Sequence, residues 1–292
     1  MGIEMWRYET GDIARASWLA HNSRSFPRSR DDTMTRFPWT LRVLASWHDQ
    51  PSGLGLDLKE LDILGDGVAD HWYYRAKAHA LTTLLGAPAG EVLDIGAGSG
   101  FFSRHLLATG LAQRACCVDP FYANDYEETV AGKPILFRRS IGQSNADVVL
   151  LMDVLEHVDD DVGLLRQYVA RVRSGTRFVI SVPAFQSLWS SHDVFLEHRR
   201  RYRLPQIEQV ATEAGLVVTT GCYGFITLFP VAAATRFVAR MATANGAPAR
   251  SQLKRHSPSM NATLYALCRW EHPWMVHNRA FGLSAFCLAV KP

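Results

Sequence analysis

Between Glu91 and Leu106 the chain reads E-V-L-D-I-G-A-G-S-G-F-F-S-R-H-L. Val92, Leu93 and Ile95 around Asp94 have the apolar content of a short buried strand, and Phe101, Phe102, Leu106 and Leu107 fall at helical spacing before Gly110. Gly96, Gly98 and Gly100 stand between the two, so the backbone can turn sharply there. A ligand can approach them without meeting a Cβ, with the amides of the helix start facing it. Strand, glycine loop and helix in that order constrain this segment to an α/β unit.

A glycine-rich turn also has a purely steric explanation. The second observation is Ala115 to Asp119, a short apolar strand ending in a carboxylate nineteen residues after Gly100. An acid in that place is positioned to receive two ribose hydroxyls, which joins loop and carboxylate into one nucleotide-type site.

The remaining pattern alternates. Ile135 to Arg138, Ala146 to Met152, Arg177 to Val182, Leu216 to Cys222 and Ser284 to Val290 read as strands. A helix opens at Asp159 to Asp161, carries Val162, Leu165, Val169 and Val172 and stops at Gly175, and another covers Leu204 to Ala214. Pro120 to Lys133 has no clear period and reads as helix or loop. Asp70 is placed to cap a helix to Leu85, ended by Gly86. This order predicts a parallel sheet with right-handed crossovers. Residues 67–223 with 284–292 would form a Rossmann-like core, preceded by an N-terminal arm and helical cap over 1–66. A helical insertion over 224–283 interrupts it before the last strand. The arm and cap leave a choice open between a lid that excludes water and packing on the outer surface.

Composition enters at that insertion. The net charge of the 292 residues is only +3, which gives no overall polyanion-binding signature, yet between Gly224 and Gly282 seven Arg or Lys face one acid, Glu271. The uncharged run from Tyr223 to Thr235 is too short for a membrane span and contains Pro230. An apolar, basic insertion leaves three readings: a cap over the acceptor, a homodimer surface, or a weak membrane-surface contact. The first two are favoured. Five cysteines without a C-x-x-C pair, several in apolar runs, read as buried free thiols of a reducing compartment. Met1 to Asp12 is too polar for a signal peptide, so a cytoplasmic protein is expected.

Asp94, Gly96, Gly98 and Gly100 form D-x-G-x-G-x-G, and here the sequence resembles the class I S-adenosylmethionine-dependent methyltransferases, not the G-x-G-x-x-G nicotinamide enzymes. The resemblance implies a doubly wound, mostly parallel seven-stranded sheet with an antiparallel last strand. It implies S-adenosylmethionine as cofactor, held by Asp94, the three glycines, Asp119 and Pro120. The run D-H-W-Y-Y-R-A-K-A is similar to a helix of one bacterial branch that modifies small molecules, lipids or saccharides. By that likeness Tyr74 or Tyr73 walls the pocket and Arg75 pairs with the methionine carboxylate, chemically sensible for a bidentate guanidinium. Ser140 and Ile141 stand where many members carry the acid that receives the adenine amino group, leaving that contact to a hydroxyl or backbone group.

Asp153 to Val158, D-V-L-E-H-V, matches the motif after the central strand, with Asp153 and Val154 beneath the cofactor. The preferred reading of Glu156 and His157 is loop ordering by hydrogen bonds. Asp153, Glu156 and His157 also copy, with one Asp for Glu, the E-x-x-E-H cluster that binds a divalent ion in ubiquinone-pathway relatives. Such a set suits magnesium or manganese, and it is the disfavoured alternative. Pro183 to Tyr202 resembles the same bacterial branch through W-S-x-H-D at Trp189 to Asp193 and H-x-R-R-Y at His198 to Tyr202. Trp189, Asp193, His198 and Tyr202 become acceptor-binding candidates. His192, oriented by Asp193, is the first choice of base, and His157 the second.

The function implied is in-line methyl transfer to a small molecule or carrier-linked metabolite, with S-adenosylhomocysteine as product. Two alternatives stay open: intramolecular cyclisation of the cofactor to azetidine-2-carboxylate with release of methylthioadenosine, and a non-catalytic binding protein. Nucleic acid is disfavoured as a substrate, because no N-P-P-Y-type segment follows the central strand and no Pro-Cys pair occurs.

Overall fold

The computed structural model describes Val68 and residues 70–242 and 256–292. The arm and cap expected over 1–66 lie outside the described residues. In chain order the elements are α1 (Trp72–Leu85), β1 (Ala89–Ile95), α2 (Phe101–Ala108), β2 (Ala112–Val118), β3 (Tyr126–Val130), β4 (Lys133–Arg138), β5 (Val148–Met152) and α3 (Asp161–Val169). They continue through β6 (Arg177–Pro183), α4 (Ser191–Phe195), α5 (Leu204–Glu213), β7 (Val217–Gly224), α6 (Phe229–Ala242), α7 (Pro258–Met275) and β8 (Ser284–Val290).

All strands join one sheet in the order β3-β4-β2-β1-β5-β6-β8-β7. The inner neighbours from β4 to β6 run parallel, while β3, β7 and β8 pair antiparallel. The chain fills one side of β1 first and then crosses to β5 on the other. The junction between β1 and β5 is therefore the topological switch point, beyond whose carboxyl ends open sheets of this kind bind their ligands. This is the Rossmann-like, mostly parallel fold expected, with eight strands among the described residues in place of seven.

The extra strand is β3. It pairs with β4 through a two-residue connection, Ala131 and Gly132, both at positive φ (51° and 76°), the geometry of a type I′ hairpin. Tyr126–Val130 is a mostly exposed edge whose apolar contacts are Tyr126 stacked on Phe137 and Val130 against the core, and an Ala in place of Asn or Gly hides the turn, so the sequence carries little sign of it.

Alternation along the inner strands divides the core. Val149 and Leu151 face the layer holding α3 and α5, with Leu164, Leu165, Ile207 and Ala211. Val148, Leu150 and Met152 face α1, α2 and α7, with Leu81, Leu106, Cys268 and Met275. Each such side chain removed from water contributes roughly 1.5–3 kcal/mol, which is why the unbroken apolar run at β5 must lie in the centre.

The insertion is fastened by polar contacts. Asn261, near the start of α7, accepts from the Trp72 amide (2.8 Å) and donates to the Asp70 carbonyl (2.6 Å). Farther along α7, Glu271 is buried and accepts from the amides of Phe225 and Thr227 and from the Thr227 hydroxyl. The single acid of the insertion is thus an internal anchor. The N-cap of α1 is His71, whose Nδ1 accepts from the Tyr73 amide at 3.4 Å, and not Asp70, whose carbonyl serves Asn261. All five cysteines are buried free thiols. Burial pushes Cys116 up to about 11 and Cys222 and Cys287 up to about 12, so they remain protonated and inert at neutral pH. Among the described residues no helix is long and apolar enough to cross a membrane.

Candidate active site

The glycine loop and the acid meet. Gly96, Gly98 and Gly100 have φ of 63°, 49° and 71°, the left-handed region that side chains resist. A Cβ on Gly96 would lie 2.9 Å from Val154, and one on Gly100 would lie 3.0 Å from Phe137 and 3.1 Å from the Cys117 sulfur. Two of the three glycines are therefore demanded by the protein's own packing. The third has the contact that defines a site: the Gly98 amide donates to Oδ2 of Asp119 over 3.1 Å, while Oδ1 accepts from Phe121 at 3.0 Å. Tyr122 closes the loop from the same turn, its hydroxyl donating to the Gly98 carbonyl at 2.7 Å. Asp94 is buried and accepts from Ser103 at 2.8 Å, which ties the end of β1 to the first turn of α2. Pro120 is half-buried beside Asp119, and Ser140 beyond β4 is exposed.

On the other side of the switch point stands a residue that sequence reading passed over. Lys77, wholly buried on α1, bonds the carboxylate of Asp153 and donates to the Tyr73 hydroxyl at 3.0 Å. Tyr73 and Ser181 reach Asp153 at 3.3 and 3.2 Å. Burial alone would lower the pKa of this ammonium, but the Asp153 charge and Tyr73 outweigh it and hold Lys77 charged, above its ordinary value. A lysine among Ala76, Ala80, Leu81 and Leu84 on the apolar stripe of α1 was the available signal. Arg75, expected at the methionine carboxylate, is exposed and stacks on the Tyr265 ring of α7 at 4.1 Å. Tyr74 is buried against Phe101, 5.3 Å between ring centroids. Val154 packs under Gly96.

The segment after β6 forms a network centred on Asp193. This fully buried carboxylate accepts from the Ser190 amide (2.8 Å) and hydroxyl (3.1 Å), pairs with Nδ1 of His198 (2.9 Å) and accepts from Nε of Arg201 (2.6 Å). Burial would raise its pKa, and the bonds from His198 and Arg201 overcome that and hold it well below the carboxylate range. The imidazole oriented by Asp193 is His198, not His192. Burial, the largest influence on His192, lowers it to about 4, so it is neutral at physiological pH and a weak base. Tyr202 is buried, its hydroxyl 2.7 Å from Asp161 and 3.1 Å from the Leu155 carbonyl, a tie between the loops after β5 and β6. Trp189 is half-buried at the head of α4.

Glu156 corrects a second expectation. Its side chain is fully buried, and neither carboxylate oxygen has a hydrogen-bond partner, so it does not order the loop by hydrogen bonds. Burial, then the neighbouring Asp153 charge, pushes its pKa well up. One oxygen of Glu156, one nitrogen of His157 and one of His198 lie within 4.8 Å of one another. Asp153 is engaged by Lys77, and His198 completes this cluster.

Strain concentrates here. Among the described residues, the non-glycine residues at positive φ besides Ala131 are Asp153, Phe185, Glu197 and Phe225, all in the segments following β5, β6 and β7. Left-handed backbone in side-chain-bearing residues costs about 1–2 kcal/mol each and persists where surrounding structure imposes it, commonly at functional sites.

A glycine loop bonded to an acid at the next strand, at the switch point of a mostly parallel sheet, is a nucleotide-type site, and the D-x-G-x-G-x-G form of the loop resembles that of class I S-adenosylmethionine-dependent transferases. Residues 69–220, just over half of the chain, match the methyltransferase domain family, and the chain belongs to that family. No curated protein sequence matches it. Solved structures similar to it include a protein assigned as a methyltransferase in complex with the Haloferax volcanii Trm112 methyltransferase activator. That one is 18% identical, with 77% of this chain and 92% of that chain covered and a TM-score of 0.49. Haemonchus contortus phosphoethanolamine N-methyltransferase 2 in complex with S-adenosyl-L-methionine is 16% identical, with 83% and 61% covered and a TM-score of 0.45.

Proposed function

We propose that the protein transfers a methyl group from S-adenosylmethionine to a small molecule or a carrier-linked metabolite, within the bacterial branch that modifies small molecules, lipids or saccharides. The observation that carries the reading is the Gly98 to Asp119 contact at the switch point. The residues present fit the cofactor: a left-handed glycine loop at the switch point, an acid bonded to it for ribose hydroxyls, and the pair of buried Lys77 with half-buried Asp153 toward the reacting end. The branch assignment is supported by the union of its two motifs, since Asp193 of the first binds His198 and Arg201 of the second.

When bound, the cofactor supplies a methyl group on a sulfonium, and the acceptor's lone pair takes that carbon as the carbon–sulfur bond breaks toward sulfur. Charge is dispersed, not created, so this chain contributes chiefly position and dryness. Gly96, Gly98 and Gly100 with Val154 set the floor, Asp119 the ribose end, and Tyr73, Lys77 and Asp153 the wall opposite. For a hydroxyl or amine acceptor, a proton must leave. His157 and His198, rings 4.7 Å apart, are better placed to receive it than His192, which burial makes a weak base.

The test is the sulfur product. Incubated with S-adenosylmethionine and a small-molecule extract, the protein should yield S-adenosylhomocysteine only when the extract is present. Methylthioadenosine without any acceptor would contradict methyl transfer and favour cyclisation.

A further inference from the structure

We propose that Glu156, His157 and His198 bind one divalent metal ion between the loops that follow β5 and β6. The first ground is Glu156. A fully buried carboxylate with neither side-chain oxygen in a well-formed hydrogen bond forfeits its interaction with water, and its own backbone amide, Lys77 and Arg201 offset only part of that loss, a state that costs on the order of several kcal/mol while it is charged. The second ground is what it faces: ring nitrogens of His157 and His198, with all three ligand atoms within 4.8 Å of one another. Ligands around an ion at about 2.0–2.2 Å stand roughly 3–3.5 Å apart, so closure needs movements of about 1 Å.

The third ground is how His198 is held. Its Nδ1 is bonded to Asp193 at 2.9 Å, which leaves Nε2 as the nitrogen offered to the cluster. Asp193 is in turn pinned by the Ser190 amide and by Arg201. A carboxylate behind an imidazole, itself fixed by further bonds, is the support that metal-ligating histidines have, setting both ring orientation and tautomer. The two loops are also clamped directly, the Arg199 amide donating to the Glu156 carbonyl at 2.7 Å. Glu197, at φ 58°, immediately precedes His198, whose side chain is 6% exposed.

Two imidazoles and one carboxylate suit zinc, iron(II) or manganese better than the all-oxygen preference of magnesium or calcium. Three protein ligands leave a coordination position open. If the methyl-transfer reading holds, that position takes an acceptor oxygen and makes its hydroxyl more acidic, and with the ion bound His157 and His198 act as ligands in place of receiving the proton. The binding site itself does not depend on that reading.

The experiment uses the full chain, stripped with chelator and titrated with cobalt(II), followed by visible absorption and calorimetry, then with zinc in competition. The expected result is one equivalent of cobalt with a d–d band in the visible, displaced by zinc. Glu156→Gln, which removes an unpartnered charge and keeps the shape, should abolish the band. Asp193→Asn, at a residue that touches no ion, should weaken affinity about 10- to 100-fold. Should Asp193→Asn fail to fold, His198→Gln, which removes a ligand directly, should weaken affinity by more than about tenfold. No saturable cobalt binding, or binding unchanged in Glu156→Gln, overturns the proposal and leaves a cluster built on a protonated Glu156. S-adenosylhomocysteine binding is measured on the same metal-free samples. Failure of the metal titration then leaves methyl transfer standing, and absence of nucleoside binding counts against methyl transfer alone.

Discussion

Lys77 on α1 and Asp153 at the end of β5 form an ion pair in which the cation is wholly buried and the anion keeps 30% of its side chain exposed. The two partners are not equivalent. Removing Asp153 leaves an ammonium without a countercharge in the core, whereas removing Lys77 leaves a carboxylate that still has Ser181 and solvent. Asp153→Ala should therefore lose about 3–5 kcal/mol of unfolding free energy, and Lys77→Met about 1 kcal/mol or less. Urea unfolding of the two variants checks the asymmetry, and equal losses would refute it.

Gly96 and Gly86 separate backbone conformation from packing. Both are left-handed, φ 63° and 64°, but a Cβ on Gly86 meets nothing within 4 Å and one on Gly96 runs into Val154. Gly86→Ala should cost only the conformational penalty, about 1–2 kcal/mol. Gly96→Ala should cost more, and Gly96→Ala with Val154→Ala should recover some of the difference. Unfolding midpoints of the three variants decide it.

Glu271 holds α7 to the segment after β7. Glu271→Ala strands the buried amide of Phe225 and the partly buried amide of Thr227, an expected loss of about 2–3 kcal/mol. Glu271→Gln keeps an acceptor and should lose less. Denaturant unfolding measures both.

His272, buried on α7 with its ring 4.3 Å from that of His79, carries a pH dependence of stability. Burial, then His79 and Arg269, lowers it to about 4 from 6.5. Between those values the unfolded chain binds the proton and the folded chain does not, so stability falls as pH drops through this window. From pH 7 to pH 5 the loss attributable to this group is on the order of 1–2 kcal/mol. His272→Leu should flatten that slope, measured as the shift in urea midpoint between the two pH values.

Most of the sheet was legible because its inner strands are covered on both faces and read as unbroken apolar runs, as at Val148–Met152. The glycine loop and Asp119 were legible because left-handed backbone and a strand-end acid leave few other residue choices. The site's far side was not. Lys77 is a core residue only because Asp153 and Tyr73 receive it, and those partners are 76 and 4 positions away along the chain. Asp193 looked adjacent to His192 in sequence, yet the tight turn of α4 sends its carboxylate to Ser190, His198 and Arg201. Arg75 and Lys77 lie two positions apart on one helix and so face different surroundings, α7 for the first and the crevice wall for the second.

The central claim is that S-adenosylmethionine sits in the crevice at the switch point with its ribose on Asp119. Calorimetric binding of S-adenosylhomocysteine to the intact chain and to Asp119→Ala tests it directly. The expected result is saturable binding to the intact chain, weakened about tenfold to a hundredfold by a substitution that removes both ribose acceptors. No binding to the intact chain, or equal binding to both proteins, would contradict it.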